Sequence, residues 1–311
     1  MSALRSACSV VSASTVSSTP LAQPQPAATG AQWGEHSLWI WEEHQCHWRV
    51  LGDRNHRALV MIHGFGASSQ PGHRRHRPLD NRLWARQLQA FLEQVVQGPA
   101  VLVGNSLGSL VAITCAVFFP VWVEAVVAAP LPDPTLLMPM RRRRARWRRR
   151  LRRHGVVLVC RLLPLELLVP LIARTPLLDL GLRSAYSDPQ PLDPELRRLV
   201  ARPALRPRAA RALRAMSIGM ALRPRAATAA PLLQRMRQPL LVLWGSEDRL
   251  VPPQISQRLS AHKPDLELQL LPQLGHCPHD EHPALFNARV LHWLQRTWLQ
   301  RSSDPGAPAD A

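Results

Sequence analysis

Three side chains in this sequence can act together as nucleophile, base and orienting acid: Ser106, His276 and Asp248. Ser106 stands in Gly104-Asn-Ser-Leu-Gly108, where the apolar run Val101-Leu-Val103 breaks and a new apolar run begins. A serine at the tip of a tight strand-to-helix turn sits in a strained backbone conformation with its hydroxyl exposed. The residues two before and two after it must be small for strand and helix to approach, and Gly104 and Gly108 meet that need. A hydroxyl is a weak nucleophile unless a base takes its proton and a third group holds that base. Both partners appear downstream, each after an apolar run. Asp248 closes Gly245-Ser-Glu-Asp248 behind Pro239–Trp244, and His276 opens Gly275-His-Cys-Pro-His-Asp-Glu281 behind the alternating Leu266–Leu271. Glu247 is a rival for the acid role. Two backbone N–H groups are candidates to hold developing negative charge: that of Phe65 in His63-Gly-Phe-Gly66, and that of Leu107 at a helix N-terminus. His279, Asp280, Glu281 and His282 are metal-ligating types, but no second cluster completes a site, so neither metal nor cofactor is expected.

The elements that must position these residues are legible from hydrophobic periodicity. Ala58–Ile62, Val101–Val103, Val123–Ala129 and Pro239–Trp244 are short continuous apolar runs, the pattern of strands buried on both faces of a parallel sheet. Leu38-Trp-Ile-Trp41 and His47-Trp-Arg-Val-Leu51 predict an antiparallel pair leading into that sheet, and the short link Gly52–Arg57 predicts that strand 45–51 then pairs antiparallel with 58–62. Leu79, Leu83, Trp84, Leu88, Phe91, Leu92 and Val95 recur at helical spacing with Asp80 placed as a cap, so 79–96 is expected to be a helix. Right-handed crossovers put it on the same face as helix 107–119, leaving the opposite face to a helix at about 283–299.

The fold class follows as α/β: a mostly parallel central sheet with helices on both faces and a helical cap insertion. The core is expected at 36–132 and 238–300, the cap at 133–237, and loose termini at 1–32 and 301–311. Residues 1–32 are rich in Ser, Ala, Thr, Pro and Gln without an apolar stretch, which reads as disorder, although Ser-rich, acid-poor termini also occur in organelle transit peptides. The 39 basic against 21 acidic residues, a net charge of +18, favour anionic partners. Five cysteines without paired spacing fit a reducing compartment such as the cytoplasm and suggest neither a disulfide framework nor a zinc site. Within the cap, the arginine run Arg141–Arg153 precedes Val156–Ile172, an apolar stretch interrupted by Arg161, Pro164, Glu166 and Pro170. Broken amphipathic helices lying on an anionic membrane surface are one reading. An arginine face in water over leucines that roof a pocket is the other. The run has one interleaved Trp147 and no recognisable binding module, which argues against nucleic acid.

The order Ser106, Asp248, His276, the elbow and the His63-Gly-Phe-Gly66 turn together resemble the α/β-hydrolase superfamily over roughly residues 36–300. Gly104-Asn-Ser-Leu-Gly108 with Gly275-His-Cys-Pro-His-Asp-Glu281 resembles its pheophytinase-related branch from photosynthetic organisms. The resemblance implies a serine hydrolase acting on a small lipophilic ester, phytyl esters being one substrate class, with Asp248 rather than Glu247 as the acid. It also implies a departure. The resembling proteins place a further helix and a further central strand between the turn that follows the first buried strand and the helix before the elbow strand. Here a single turn, Gly64–Pro71, stands in their place, so one helix and one central strand are expected to be missing. A haloalkane dehalogenase of similar layout would need a carboxylate where Ser106 stands.

Overall fold

The computed structural model describes residues 7–12, 34–42, 44–64, 79–133, 136, 146–188 and 194–302. In chain order the strands are β1 (Ala7–Ser12), β2 (Glu35–Trp41), β3 (His44–Leu51), β4 (Ala58–Ile62), β5 (Ala100–Asn105), β6 (Val123–Ala129), β7 (Leu240–Gly245) and β8 (Glu267–Leu271). They form one sheet in the order β2-β3-β1-β4-β5-β6-β7-β8. From β4 to β8 every pairing is parallel, while β2 and β3 form the antiparallel pair that the alternating tryptophans suggest. The protein therefore has an α/β architecture with a mostly parallel sheet, and β5, β6 and β7 are buried almost throughout because helices cover both of their faces.

On one face lie α1 (Asn81–Phe91) and α2 (Leu107–Phe118). Asp80 caps α1, its carboxylate accepting from the Arg82 N–H at 2.9 Å. The helix expected over 79–96 loosens after Phe91 into a π turn, Leu92–Val96, which ends at Gln97 in the left-handed region. Helix α2 buries residues on every side and packs with Leu88, Phe91 and Leu92 into the larger core cluster. The opposite face is covered by α10 (Pro283–Ser302), whose Phe286, Val290, Trp293 and Leu294 pack on Val101, Val103, Val127, Leu241 and Leu243.

Between β6 and β7 run α3 (Arg146–Leu162), α4 (Leu165–Arg174), α5 (Leu177–Ala185), α6 (Pro194–Ala204), α7 (Ala209–Leu222) and α8 (Ala229–Arg235). The first five form a helical layer. Its entry and exit are tied by buried Asp133, whose Oδ2 accepts from Arg223 at 3.0 Å and from the Ala229 N–H at 2.7 Å. Helix α8, grouped with the cap in the sequence reading, instead packs Leu232 and Leu233 into the core beneath α2, because its apolar side has the sheet to cover.

Two expectations near the N-terminus are corrected. Strand β3 does not pair with β4. Strand β1 lies between them, parallel to β3 and antiparallel to β4, so part of the segment read as disordered is a strand. Neighbouring strands stand about 4.8 Å apart, so the link Gly52–Arg57 spans the gap without difficulty, and the insertion satisfies the ladder groups of two edges at once. Residues 1–6, 13–33 and 303–311, and with them the rest of both termini read as loose, lie outside the described residues.

Candidate active site

Ser106 sits between β5 and α2 with φ +52° and ψ −116°, a conformation that an L-residue adopts only under constraint. The constraint is visible in its surroundings. The Ser106 N–H donates to the Ala129 carbonyl at 3.1 Å, and the first turn of α2 closes on the Ser106 carbonyl through the Ser109 N–H at 2.9 Å. A Cβ on Gly104 would lie 2.6 Å from the Gly108 carbonyl oxygen, and one on Gly108 would lie 2.7 Å from that of His63. Both positions therefore require glycine, as the spacing predicts. Ser109, which the sequence reading passed over, is fully buried; its hydroxyl donates to the Gly104 carbonyl at 2.7 Å and accepts from the Ala129 N–H at 3.0 Å.

Asp248 and His276 meet. The His276 Nδ1 stands 2.8 Å from the Asp248 Oδ2, and the other carboxylate oxygen accepts the Leu250 and Val251 N–H groups at 2.9 and 2.8 Å. A carboxylate accepts only, so Nδ1 carries a proton, which in the neutral imidazole leaves the lone pair on Nε2. Both side chains are buried, whereas Glu247 is exposed, so burial and contact both favour Asp248 over its rival. Asn105 links this pair to the elbow, its amide donating to the Ala129 carbonyl at 2.7 Å and to the His276 carbonyl at 3.3 Å.

The histidine loop is also strapped to the helical layer, which the sequence did not reveal. The His276 N–H donates to the Ala185 carbonyl at 2.8 Å, and the Tyr186 hydroxyl donates to Asp280 at 2.6 Å. Glu281 holds both sides: one oxygen accepts the Gly275 N–H at 2.8 Å, and the other accepts the Ser187 N–H and hydroxyl at 2.8 and 2.6 Å. Beside the histidine, burial and then the Asp280 and Glu281 carboxylates push the Cys277 thiol up to about 12, which keeps it protonated and makes it a packed residue rather than a reactive one. Burial lowers the pKa of both His63 and His279, so each is neutral near pH 7.

A cavity of about 510 Å³ opens beside Leu107 and Gly108. Trp39, Trp84 and Phe91 form one wall, His63 and Gly64 lie at its edge, and Val169, Ala173 and Met216 form the roof. Its lining is mostly apolar carbon. Leu107 is the first residue of α2, where a backbone N–H has no acceptor within the helix. Phe65, the other candidate donor, lies outside the described residues, as do residues 141–145 of the arginine run; Gly64, just before Phe65, abuts the elbow, and a Cβ there would lie 3.2 Å from that of Ser106. Among the described residues no three His, Cys, Asp or Glu side chains are grouped as metal ligands.

Residues 33–289 match the Alpha/beta hydrolase family. The chain belongs to that family. Among curated relatives, an uncharacterized hydrolase, YugF, of Bacillus subtilis (strain 168) is 38% identical over 63 residues, covering 20% of this chain and 23% of the relative. A 2-hydroxy-6-oxononadienedioate/2-hydroxy-6-oxononatrienedioate hydrolase of Burkholderia vietnamiensis is 38% identical over 64 residues, 21% of this chain and 22% of the relative. The α/β-hydrolase thus aligns with less than a quarter of the length of either. Solved structures share its fold: a membrane phospholipase A at TM-score 0.63 and 20% identity, covering 84% of this chain and 86% of that one, and a lipase from Acinetobacter baumannii AYE, described as putative, at TM-score 0.65 and 15% identity, covering 86% and 92%.

Proposed function

We propose that this α/β-hydrolase cleaves a lipophilic carboxylic ester through an acyl-enzyme, with Ser106 as nucleophile, His276 as general base and Asp248 as the group that holds the imidazole. The observation that carries this reading is the 2.8 Å Asp248–His276 pair held against the elbow by Asn105, with Ser106 at φ +52° beside an apolar cavity. The Ser106 Oγ attacks the ester carbonyl carbon while its proton passes to the His276 Nε2. Negative charge gathers on the carbonyl oxygen, where the backbone N–H groups of Leu107 and Phe65 are the proposed donors. The tetrahedral intermediate collapses, the C–O bond to the alcohol breaks, and the histidine returns its proton to the departing oxygen. Water, deprotonated by the same histidine, then frees the acid and restores Ser106.

The cavity volume, about 510 Å³, falls within the usual range of ligand pockets, about 300–1,000 Å³, and its apolar walls suit a long hydrocarbon chain better than a dicarboxylate. A phytyl ester, the substrate class implied by the pheophytinase-like motifs, is the candidate within that chemistry. A hydrolase scaffold without turnover is a second reading. It is favoured by one observation: the strand standing between β3 and β4 comes from the N-terminus rather than from the chain between β4 and α1, as if a helix and a strand had been lost there. Labelling with a fluorophosphonate probe separates the two. The esterase reading expects one adduct per chain on Ser106, abolished in Ser106→Ala, and hydrolysis of p-nitrophenyl esters that improves from acetate to long acyl chains. An unlabelled Ser106 in folded protein would sink it.

A further inference from the structure

Helix α4 is apolar on two sides. Val169 and Ala173 face inward over the cavity, while Leu167 and Leu171 face outward, Leu167 with 72% of its surface exposed. The helices on either side of it in the chain also carry exposed leucines. Leu151, Leu158 and Leu162 are exposed along α3 at helical spacing, Leu162 also at 72%, and Leu177 and Leu180 are exposed on α5. Exposed leucines in number on three successive helices of the outer layer mark a surface that something covers.

The charges around the face indicate what covers it. The two acids of α4 and α5 are each matched by an arginine from the helices behind. Arg214 on α7 grips both oxygens of Glu166, and Arg197 on α6 donates to Asp179 at 2.7 Å. Left in the open on these helices are Arg161, Arg174 and Arg183, and the sequence holds ten arginines between 141 and 153, four ahead of α3 and six in its first half. Cationic groups around an apolar row, with the nearby acids already neutralised, complement a lipid surface with anionic headgroups.

The corner between α3 and α4 decides how such a surface would be met. The two helices bend by 65°, and no single described helix is long and apolar enough to cross a bilayer. Arg214 fastens the bend, donating to the Cys160 carbonyl at 2.9 Å and the Leu163 carbonyl at 2.8 Å as well as to Glu166. Straightening the pair into a span would break these bonds and carry charge into hydrocarbon. Lying flat keeps them.

We propose that the outward face of α3, α4 and α5 docks in the interface of an anionic lipid bilayer, with Leu162, Leu167 and Leu171 entering the acyl region and the arginines engaging headgroups. The proposal does not require catalysis, but joined to the esterase reading it sets the cavity roof against the lipid, so that a lipophilic substrate enters without crossing water.

The test is cosedimentation of the full chain with vesicles of phosphatidylcholine alone and of equal phosphatidylcholine and phosphatidylglycerol, at low and high salt. Wild type should partition onto the anionic vesicles, and part of that binding should survive high salt, because apolar insertion is not screened. The variant Leu162→Gln/Leu167→Gln/Leu171→Gln changes side chains that already face water and should lose roughly tenfold or more of the partitioning. In Leu167→Trp, emission should shift to the blue on vesicle addition. Fluorophosphonate labelling of Ser106 in lipid-free solution serves as the separate readout of the esterase reading. Undiminished binding by the triple variant, or bound Leu167→Trp with unshifted emission, would mean that arginines alone hold the protein and would overturn the proposal. Self-association abolished by the same three changes, with no vesicle binding, would assign the face to a second copy and overturn it equally.

Discussion

Asp248 is committed on both oxygens, one to the imidazole and the other to two backbone N–H groups. An amide in its place cannot accept on both sides, and its NH₂ would favour the wrong histidine tautomer. Asp248→Asn should therefore lower kcat/KM on a p-nitrophenyl ester by about 10³–10⁴-fold with little loss of stability, and Glu247→Gln should leave the rate near wild type. The reverse ranking would reassign the acid. His63 and His279 bear on stability instead. Each is partly buried, and desolvation holds its pKa below 6.5, so the unfolded chain takes up protons there before the folded one does, and stability is lost as pH falls through about 6.5. The melting temperature should be lower at pH 5.5 than at pH 8, with the difference reduced in His279→Gln. The three candidate catalytic residues were legible because each sits in a local motif behind an apolar run. Asn105, Ser109 and Glu281 were not, because their partners lie on distant segments; Glu281 meets Ser187 across 94 positions of chain. A polar residue gives no sign in the sequence of a contact that only folding makes.

At the scale of elements, runs and caps predicted most of what positions the site, from the parallel strands to Asp80 at the start of α1. What escaped was how helices divide between layers, since α8 has a helical pattern whether it roofs a pocket or lines a core. The strap between α5 and the histidine loop escaped as well, and Glu281 is its centre. Glu281→Gln exposes the Gly275 or Ser187 N–H to an NH₂ that cannot accept, at a cost of roughly 1–3 kcal/mol. Thermal unfolding should start several degrees lower and kcat should fall, whereas Ser187→Ala, which keeps the backbone donor, should do less. At the α3–α4 corner, Arg214 holds the Glu166 carboxyl down to about 2 from an ordinary 4.5. That contribution is complete above the ordinary value, fades as pH falls from there through about 2, and is still mostly present at pH 4, so mild acid should leave the bend intact. Circular dichroism at pH 4 and pH 7 should show the same helix content.

For the molecule as a whole, the sheet is continuous only with β1 in place. Removing residues 1–33 would bare the facing edges of β3 and β4, and the truncated chain should melt lower and aggregate sooner in light scattering than the full chain. Unchanged behaviour would show that the strand contributes nothing. This part of the fold could not be read in advance: the Ser-rich composition argued for disorder, and no local pattern marks a strand whose neighbours lie far along the chain. The strap carries one consequence at this scale. Helix α5 touches the cavity through Leu178 at one end and holds the His276 amide through Ala185 at the other. That amide should therefore report occupancy: if the proposed lipophilic substrate fills the cavity and steadies α5, hydrogen–deuterium exchange at the 275–281 loop should slow when a non-hydrolysable long-chain ligand binds, even in Ser106→Ala, where no bond is made or broken.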